Sequence, residues 1–183
     1  MMSMDSSISF VVERADYSAR RLEPNEAEVL QRLYEQCADY ADLVDGHPPS
    51  PFAAREEFLA VPEGKTLQDK FMFGLFDARN ILVGLIEAIR HYPDDQTWWV
   101  GLMMLDPQQR GKGVGSEFYR GFEHWVLGHG AQQVMLSVVE ENEQGFSFWK
   151  KIGFEVTRKT PPKQFANKTH RLYVMRRTVD ATD

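Results

Sequence analysis

The stretch Leu105-Asp106-Pro107-Gln108-Gln109-Arg110-Gly111-Lys112-Gly113-Val114-Gly115 decides how this chain is interpreted. It begins where an apolar run ends, passes through a polar turn, and places three glycines at alternate positions before an amphipathic segment. Glycines let the backbone approach a ligand closely and adopt positive φ angles. The free N–H groups and the dipole at a helix start attract anions. The stretch therefore predicts a strand–loop–helix unit that holds a phosphate or pyrophosphate, with Arg110 and Lys112 adding positive charge.

Two common phosphate-binding loops do not match these glycines. A P-loop requires Gly-Lys followed by Ser or Thr, whereas Lys112 is followed by Gly113. The dinucleotide fingerprint Gly-x-Gly-x-x-Gly would need a glycine at position 116 or 118, where Ser116 and Phe118 stand. Both motifs are excluded.

The hydrophobic periodicity around the loop predicts a mixed α/β pattern about one sheet. Before the loop, strands are predicted over 9–14, 70–76, 81–91 and 97–105, and helices over 25–40, with Asn25 as N-cap, and 52–60. After it, helices are predicted over 113–127 and 144–152, and strands over 133–139, 154–160 and 170–177. The chain length suits one domain over residues 1–183.

Composition narrows the possible functions. The chain has 183 residues, a formal net charge of −6 and a single cysteine, Cys37, which rules out an internal disulfide framework and favours a reducing compartment. The negative charge argues against nucleic-acid binding through bulk charge. It suits a cationic partner such as an amine, or simply keeps the protein soluble. With no signal-peptide pattern and no apolar run of about 20 residues, we expect no membrane partner and a cytoplasmic location.

Two spaced motifs carry a family resemblance. The run from Arg110 to Gly115 fits the signature Arg/Gln-x-x-Gly-x-Gly/Ala, and an apolar strand ending at Pro107 precedes it. One strand further on, the segment from Asn142 to Phe154 contains Phe-Trp-Lys-Lys-Ile-Gly-Phe, close to the pattern Asn…Phe-Tyr-x-x-x-Gly-Phe. The chain resembles the GNAT family of acyl-CoA N-acyltransferases in both motifs and in the elements between them.

The resemblance implies a fold, a co-substrate and a site. It implies a single GNAT-like α/β (α+β) domain, with a mixed, mostly antiparallel twisted sheet flanked by helices, and by analogy a homodimer. It implies that acetyl-CoA serves as co-substrate without a metal, and that an acetyl group is transferred to a primary amine, preferably of a small molecule. The implied acetyl-CoA contacts come from one strand, the glycine-rich loop and the second motif: Met103, Met104, Leu105, Arg110, Gly111, Lys112, Gly113, Val114, Gly115, Ser116, Asn142 and Trp149.

Glu87 is the candidate general base, because a carboxylate within an apolar strand is costly unless it faces a polar cleft. The alternative is that Glu87 points to solvent or pairs with an arginine. The family's usual tyrosine acid is replaced by Trp149, which cannot supply a proton near neutral pH, so proton return would fall to water or to Tyr173. This departure keeps open the alternative of a non-catalytic acyl-CoA-binding or sensing module. A separate alternative, which concerns the acceptor, is a protein-amine acetyltransferase.

Overall fold

The computed structural model describes residues 8–180. Its strands are β1 (Ser9–Phe10), β2 (Ser18–Arg21), β3 (Lys70–Phe76), β4 (Leu82–Arg90), β5 (Thr97–Leu105), β6 (Gln133–Val139), β7 (Glu155–Lys159), β8 (Lys163–Phe165), β9 (Lys168–His170) and β10 (Leu172–Thr178). Its α-helices are α1 (Ala27–Gln36), α2 (Ala38–Asp45), α3 (Ala53–Leu59), α4 (Val114–Gly128) and α5 (Glu143–Ile152). Within the described part of the chain, no helix is both long and apolar enough to cross a membrane.

The main sheet has the strand order β1-β2-β3-β4-β5-β6-β10-β7. Its neighbouring strands run antiparallel except β5 and β6, which are parallel and are joined through α4. A parallel pair needs a long crossover connection, and the glycine-rich loop and α4 provide it. The sheet is thus mixed and mostly antiparallel, which confirms the predicted fold class.

Helices cover both faces of the sheet and bury two hydrophobic clusters. The larger cluster packs α4 and α5 on one face and is rich in aromatic residues, with Trp98, Tyr119, Phe73, Phe118, Phe122 and Phe154 fully buried. The smaller cluster packs α1 and α3 on the other face and includes Leu30, Leu33, Phe58, Met72, Leu85 and Met104. Phe58 of α3 is a core residue of this second cluster, while Phe52, just before α3, is exposed.

The N-terminal predictions need three corrections. The predicted strand over 9–14 is only two residues long, and a second strand, β2, pairs with both β1 and β3. Asn25 does not cap a helix, because a 3₁₀ turn over Pro24–Glu26 begins one residue earlier. There Glu26 accepts a hydrogen bond from the Glu23 backbone N–H at 2.9 Å, and proline is well suited to a first helical position.

Two further elements escaped prediction. The helix predicted over 25–40 is divided at Cys37, whose φ of −95° and ψ of 29° end α1 and start α2. The loop predicted between the last two strands contains the hairpin β8–β9. This hairpin packs on the end of α2, where the Asn167 N–H donates to the Asp45 carbonyl at 3.0 Å and Lys168 Nζ donates to the Leu43 carbonyl at 3.2 Å. The last carbonyls of a helix attract such donors.

Gly121 lets the N-terminal segment pack closely on α4. A Cβ at Gly121 would overlap the Val11 carbonyl oxygen and lie 2.8 Å from the Phe10 ring. We expect Gly121→Ala to lower the free energy of unfolding by about 1–3 kcal/mol, because overpacking outweighs the gain in helix propensity. Gly128→Ala, on the same helix with no atom within 4 Å, is the control and should raise stability by ~0.5–1 kcal/mol. Equal stabilisation by both variants in urea unfolding would contradict this packing.

Candidate functional site

Strands β5 and β6 separate towards their carboxyl ends. Their parallel pairing runs from Thr97 opposite Gln133 to Val100 opposite Leu136, although β5 continues to Leu105 and β6 to Val139. Beyond Val100, the edge of β5 that faces β6 is therefore free of its partner strand. Crevices at the carboxyl ends of parallel strands are common ligand sites, and an extended ligand can bind a strand edge as an added strand would.

A β-bulge at Gly101 marks the point of separation. Glu87 pairs with Leu102 and Ala88 with Val100, so Gly101 is the extra residue on β5. A Cβ at Gly101 would overlap Glu87 Oε2. The missing side chain therefore lets the Glu87 carboxylate lie directly against the β5 backbone, beside the crevice.

The glycine-rich loop has the open geometry that a phosphate group needs. Gly111 and Gly113 have φ angles of 73° and 80°, and no atom lies within 4 Å of a Cβ built on Gly111. Gly113 is the N-cap of the 15-residue helix α4. The first N–H groups of a helix have no intrahelical acceptor. Val114 is buried and faces the core, so it can offer a ligand only its backbone.

The cationic side chains at the loop differ from the prediction. The Arg110 guanidinium turns away from the glycines, pairs with Asp39 at 2.5 Å and donates from Nε to the Leu105 carbonyl at 2.9 Å. Arg14 reaches the loop instead, donating from Nη1 to the Lys112 carbonyl at 2.6 Å. It precedes β2 and is 98 residues away in sequence, so no local pattern pointed to it. Lys112 is exposed, as a loop cation should be.

The remaining residues predicted to contact acetyl-CoA are distributed around the crevice. Met104 is buried against α1 and α3, whereas Met103 and Leu105 pack towards the larger cluster. Since the Leu105 carbonyl accepts from Arg110, it is already engaged within the protein. Ser116 lies in the first turn of α4 and is partly exposed.

The residues of the second motif, from Asn142 to Phe154, make mostly structural contacts within the protein. Asn142 Oδ1 accepts from the Gly145 N–H at 2.9 Å and caps α5, which leaves its Nδ2 group as its route to a ligand. Trp149 is buried, with its ring edge-on to Tyr119 and Phe154. Phe148 contacts Trp149 and lies next to Gly115. The Tyr173 ring packs against the Phe146 ring at a tilted angle.

A cleft of about 750 Å³ lies on the face of the sheet opposite α4 and α5. It reaches Gly101 from that side and is walled by strands, the end of α3 and the segment around Pro161: Glu57, Ala60, Val61, Pro62, Lys70, Glu87, Ile89, Tyr92, Trp99, Gly101, Ser137, Arg158, Thr160, Pro161, Pro162, Lys163, Leu172 and Val174. Trp99 lines this cleft while Trp98 is buried against α4, so the two tryptophans lie on opposite faces of the sheet.

Glu87 lines the cleft and is also ion-paired. Its side chain is 5% exposed, and its Oε1 lies 3.3 Å from Lys70 Nζ. Burial raises the pKa of the Glu87 carboxyl to about 7; Lys70 opposes this rise and Glu57 adds to it. Both sequence alternatives were incomplete, because Glu87 faces a cleft and has a partner that is a lysine rather than an arginine.

A smaller cleft of about 300 Å³ meets the first at Glu57 and Gly101. It lies among α1, α2, α3 and β5, and its ionisable lining includes Tyr34, Tyr40, Asp45, His47, Glu56 and Glu57. Its carboxylates favour a cationic occupant. In residues 8–180, no group of three or more His, Cys, Asp or Glu side chains is arranged to hold a metal ion.

Besides Arg14 at the loop, three residues beside the larger cleft were missed by sequence reasoning. Lys70 and Glu57 come from β3 and α3, and only the fold brings them to Glu87. Gly101 did carry a signal, since a glycine within an apolar strand indicates a bulge or a close approach.

Solved structures share this architecture. An acetyltransferase from Thermus thermophilus has a TM-score of 0.71 at 19% identity, covering 90% of this chain and 97% of that one. A Salmonella typhimurium acetyl transferase that modifies the N-terminal serine of ribosomal protein L7/L12 has a TM-score of 0.74 at 13% identity, covering 91% and 97%. Spermidine N-acetyltransferase from Vibrio cholerae, in complex with CoA and spermine, has a TM-score of 0.71 at 16% identity, covering 90% and 96%. At these identities the likeness shows the fold.

Sequence comparison adds the family. A curated relative, the uncharacterized N-acetyltransferase YobR of Bacillus subtilis (strain 168), is 28% identical over 86 residues, which is 46% of this chain and 33% of that protein. The match thus spans about a third of that relative's length. The family model for the acetyltransferase (GNAT) family matches residues 28–154, which include α1 to α5, the glycine-rich loop and Glu87. With the separated β5 and β6 and the glycine-capped helix beside them, this match means that the chain belongs to the acetyltransferase (GNAT) family.

Proposed function

We propose that this protein transfers an acetyl group from acetyl-CoA to a primary amine, preferably of a small molecule. The observation that carries the proposal is the bulge at Gly101, because a strand edge free of β6 and a buried carboxylate from β4 meet there. The acyl donor would lie on the β6 side of this point, and the acceptor would approach through the two clefts.

The fit of acetyl-CoA rests on the loop and the strand edge. The loop residues Gly111 and Gly113 and the first turn of α4 would hold the pyrophosphate through backbone N–H groups, with Lys112 and Arg14 supplying positive charge. The β5 backbone at Met103 and Met104 would hydrogen-bond the pantetheine arm, with Asn142 Nδ2 and Trp149 further along it. When bound, acetyl-CoA supplies an acetyl thioester that is reactive towards a neutral amine.

Glu87 would prepare the amine for attack. An alkyl ammonium has a pKa near 10.4 and must lose a proton before its nitrogen can attack a carbonyl carbon. With its pKa raised to about 7 by burial, Glu87 is part-ionised at neutral pH and can accept that proton within the cleft. Backbone N–H groups near Leu105 would stabilise negative charge on the carbonyl oxygen. Water would return a proton to the CoA thiolate that is released when the C–S bond breaks. Trp149 would not do so, because its indole N–H donates hydrogen bonds but is not an acid near neutral pH.

The clefts support a small cationic acceptor. The linings of the two clefts include the carboxylates of Asp45, Glu56, Glu57 and Glu87, and both clefts reach Gly101, which lies beside Glu87. Spermidine is the named acceptor of one structural relative and a ribosomal-protein N-terminus that of another. A protein amine is therefore the second acceptor class to be tested.

Arg14→Gln and Lys112→Gln should each weaken acetyl-CoA binding about fivefold to tenfold in calorimetry. The physical reason is the loss of one charge-assisted contact, worth ~1 kcal/mol at an exposed site. The effect should shrink as salt is raised, because salt screens exposed charges. Arg120→Gln, an exposed cation on α4, is the matched control and should bind normally. Affinities equal to that of the control would argue against pyrophosphate binding at this loop.

Glu87→Gln should lower kcat by about 10²- to 10⁴-fold and leave acetyl-CoA affinity within about twofold, because it removes the proton acceptor alone. The measurement is CoA thiol release with alkylamines, spermidine, amino acids and peptides with free N-termini. Glu28→Gln, an exposed carboxylate on α1, is the matched control.

The pattern of substrates separates the alternatives. Turnover of small amines supports the preferred proposal, and turnover of peptides alone supports a protein-amine acetyltransferase. If acetyl-CoA binds normally and the wild-type protein acetylates no amine, the protein is a non-catalytic acyl-CoA-binding module.

A further inference from the structure

Lys70 forms a buried charge cluster with two carboxylates at the base of the larger cleft. It is 5% exposed, and its Nζ lies 2.9 Å from Glu57 Oε1, 2.7 Å from the Ala60 carbonyl oxygen and 3.3 Å from Glu87 Oε1. Three acceptors match the three N–H donors of an ammonium group. The buried cation is therefore fully satisfied, as burial of a charge requires.

The two carboxylates share this cation unequally. Glu57 is closer to Nζ than Glu87 and is more exposed, at 25% against 5% of the side chain. A single positive charge beside two negative charges leaves a net charge of −1. The burial cost of that excess charge falls mainly on Glu87, since its side chain has less access to water.

We propose that Lys70 and Glu57 are positioning residues for the reaction, with Lys70 keeping Glu87 ionised and aimed at the cleft and Glu57 keeping it able to accept a proton. This inference rests on the proposed role of Glu87 as base. Lys70 alone would hold Glu87 as a strong, unreactive ion pair. Glu57 attracts the Lys70 ammonium towards α3 and adds a second negative charge near Glu87. A proton from the ammonium group of the acceptor can therefore move to a Glu87 oxygen.

Burial has the largest effect on the pKa of Glu87, and the charges of Lys70 and Glu57 follow it. The Gly101 backbone hydrogen bond favours the ionised form. Burial, together with the charges of Glu57 and Glu87, raises the pKa of Tyr34 on α1, so this phenol stays neutral. The ionisable groups on the more distant walls of the cleft are Tyr92, Arg158 and Lys163.

This arrangement predicts that two variants shift the midpoint of Glu87 titration in opposite directions. Lys70→Met removes the favourable cation and should raise the midpoint of Glu87 titration by ~1 pH unit or more above about 7. Glu57→Gln removes the like charge and leaves Glu87 as the only carboxylate paired with Lys70, so the midpoint of Glu87 titration should fall by ~1 pH unit. The acid limb of kcat/KM should move the same way, to higher pH in Lys70→Met and to lower pH in Glu57→Gln. If Lys70 and Glu57 had a purely structural role, both variants would lose activity, but the acid limbs of their pH profiles would not move in opposite directions.

The titration is measured by carbon-13 NMR of protein labelled at the glutamate carboxyl carbons, with Glu87→Gln used to assign the signal. Arg79→Met and Glu28→Gln are the matched controls, since each removes one exposed charge away from the cluster, and both should leave the midpoint unchanged. If Lys70→Met does not fold, the midpoint measured in Glu57→Gln tests the proposal by itself. This variant should fold, because the glutamine amide keeps the size of the side chain.

The outcomes separate this inference from the proposed function. Midpoints that move in opposite directions support it, and midpoints unchanged from wild type, or moved in one direction by both variants, overturn it. The NMR titration needs no acceptor and no turnover. Full activity of Glu87→Gln would instead reject the base role while leaving the titration result intact.

Discussion

The site depends on one backbone irregularity, the bulge at Gly101. Strand side chains alternate between faces, so one extra residue reverses that alternation for the rest of the strand. Trp98 and Val100 face the larger cluster before the bulge, whereas Leu102 and Met104 face the α1 side after it. The same residue stands where pairing with β6 ends and where Glu87 approaches the backbone. One missing side chain thus sets the crevice, the orientation of β5 beyond it and the place of the carboxylate.

The end of β5 is held by contacts from two other parts of the chain, the loop that follows it and the start of α2. Arg110 joins the Leu105 carbonyl to Asp39 of α2, and Cys37 Sγ lies 3.5 Å from the same carbonyl oxygen. The Arg110–Asp39 pair is partly exposed, so its own contribution to stability is small. Its geometric effect is larger, because it fixes the strand end and the loop start relative to α2. The side chain of the signature arginine in this chain therefore links the loop to α2.

Sequence patterns predicted the fold class and the loop but left most of the cleft unassigned. The nearly continuous apolar runs of β3 to β5 and the glycines before α4 are local signals, and these elements lie within a residue or two of their predicted bounds. The hairpin β8–β9 was missed because its strands have three residues each and gain their order from α2. Lys70, Glu57 and Arg14 were missed because their contacts join residues far apart in sequence. Among the missed residues, Gly101 alone carried a local signal, because a glycine inside an apolar strand indicates a bulge or a close approach.

The charge of the buried cluster and the charge of an amine acceptor complement each other. With Lys70 protonated and both carboxylates ionised, the base of the cleft carries a net charge of −1, which attracts an ammonium rather than a neutral amine. Once Glu87 takes the proton, Lys70 and Glu57 form a neutral pair, and the amine beside them is uncharged. The transfer thus removes the excess buried charge and creates the nucleophile in the same step. An isolated buried glutamate would undergo the same change of charge, but with no nearby cation to limit the cost of burial, less of it would be ionised and ready to accept a proton.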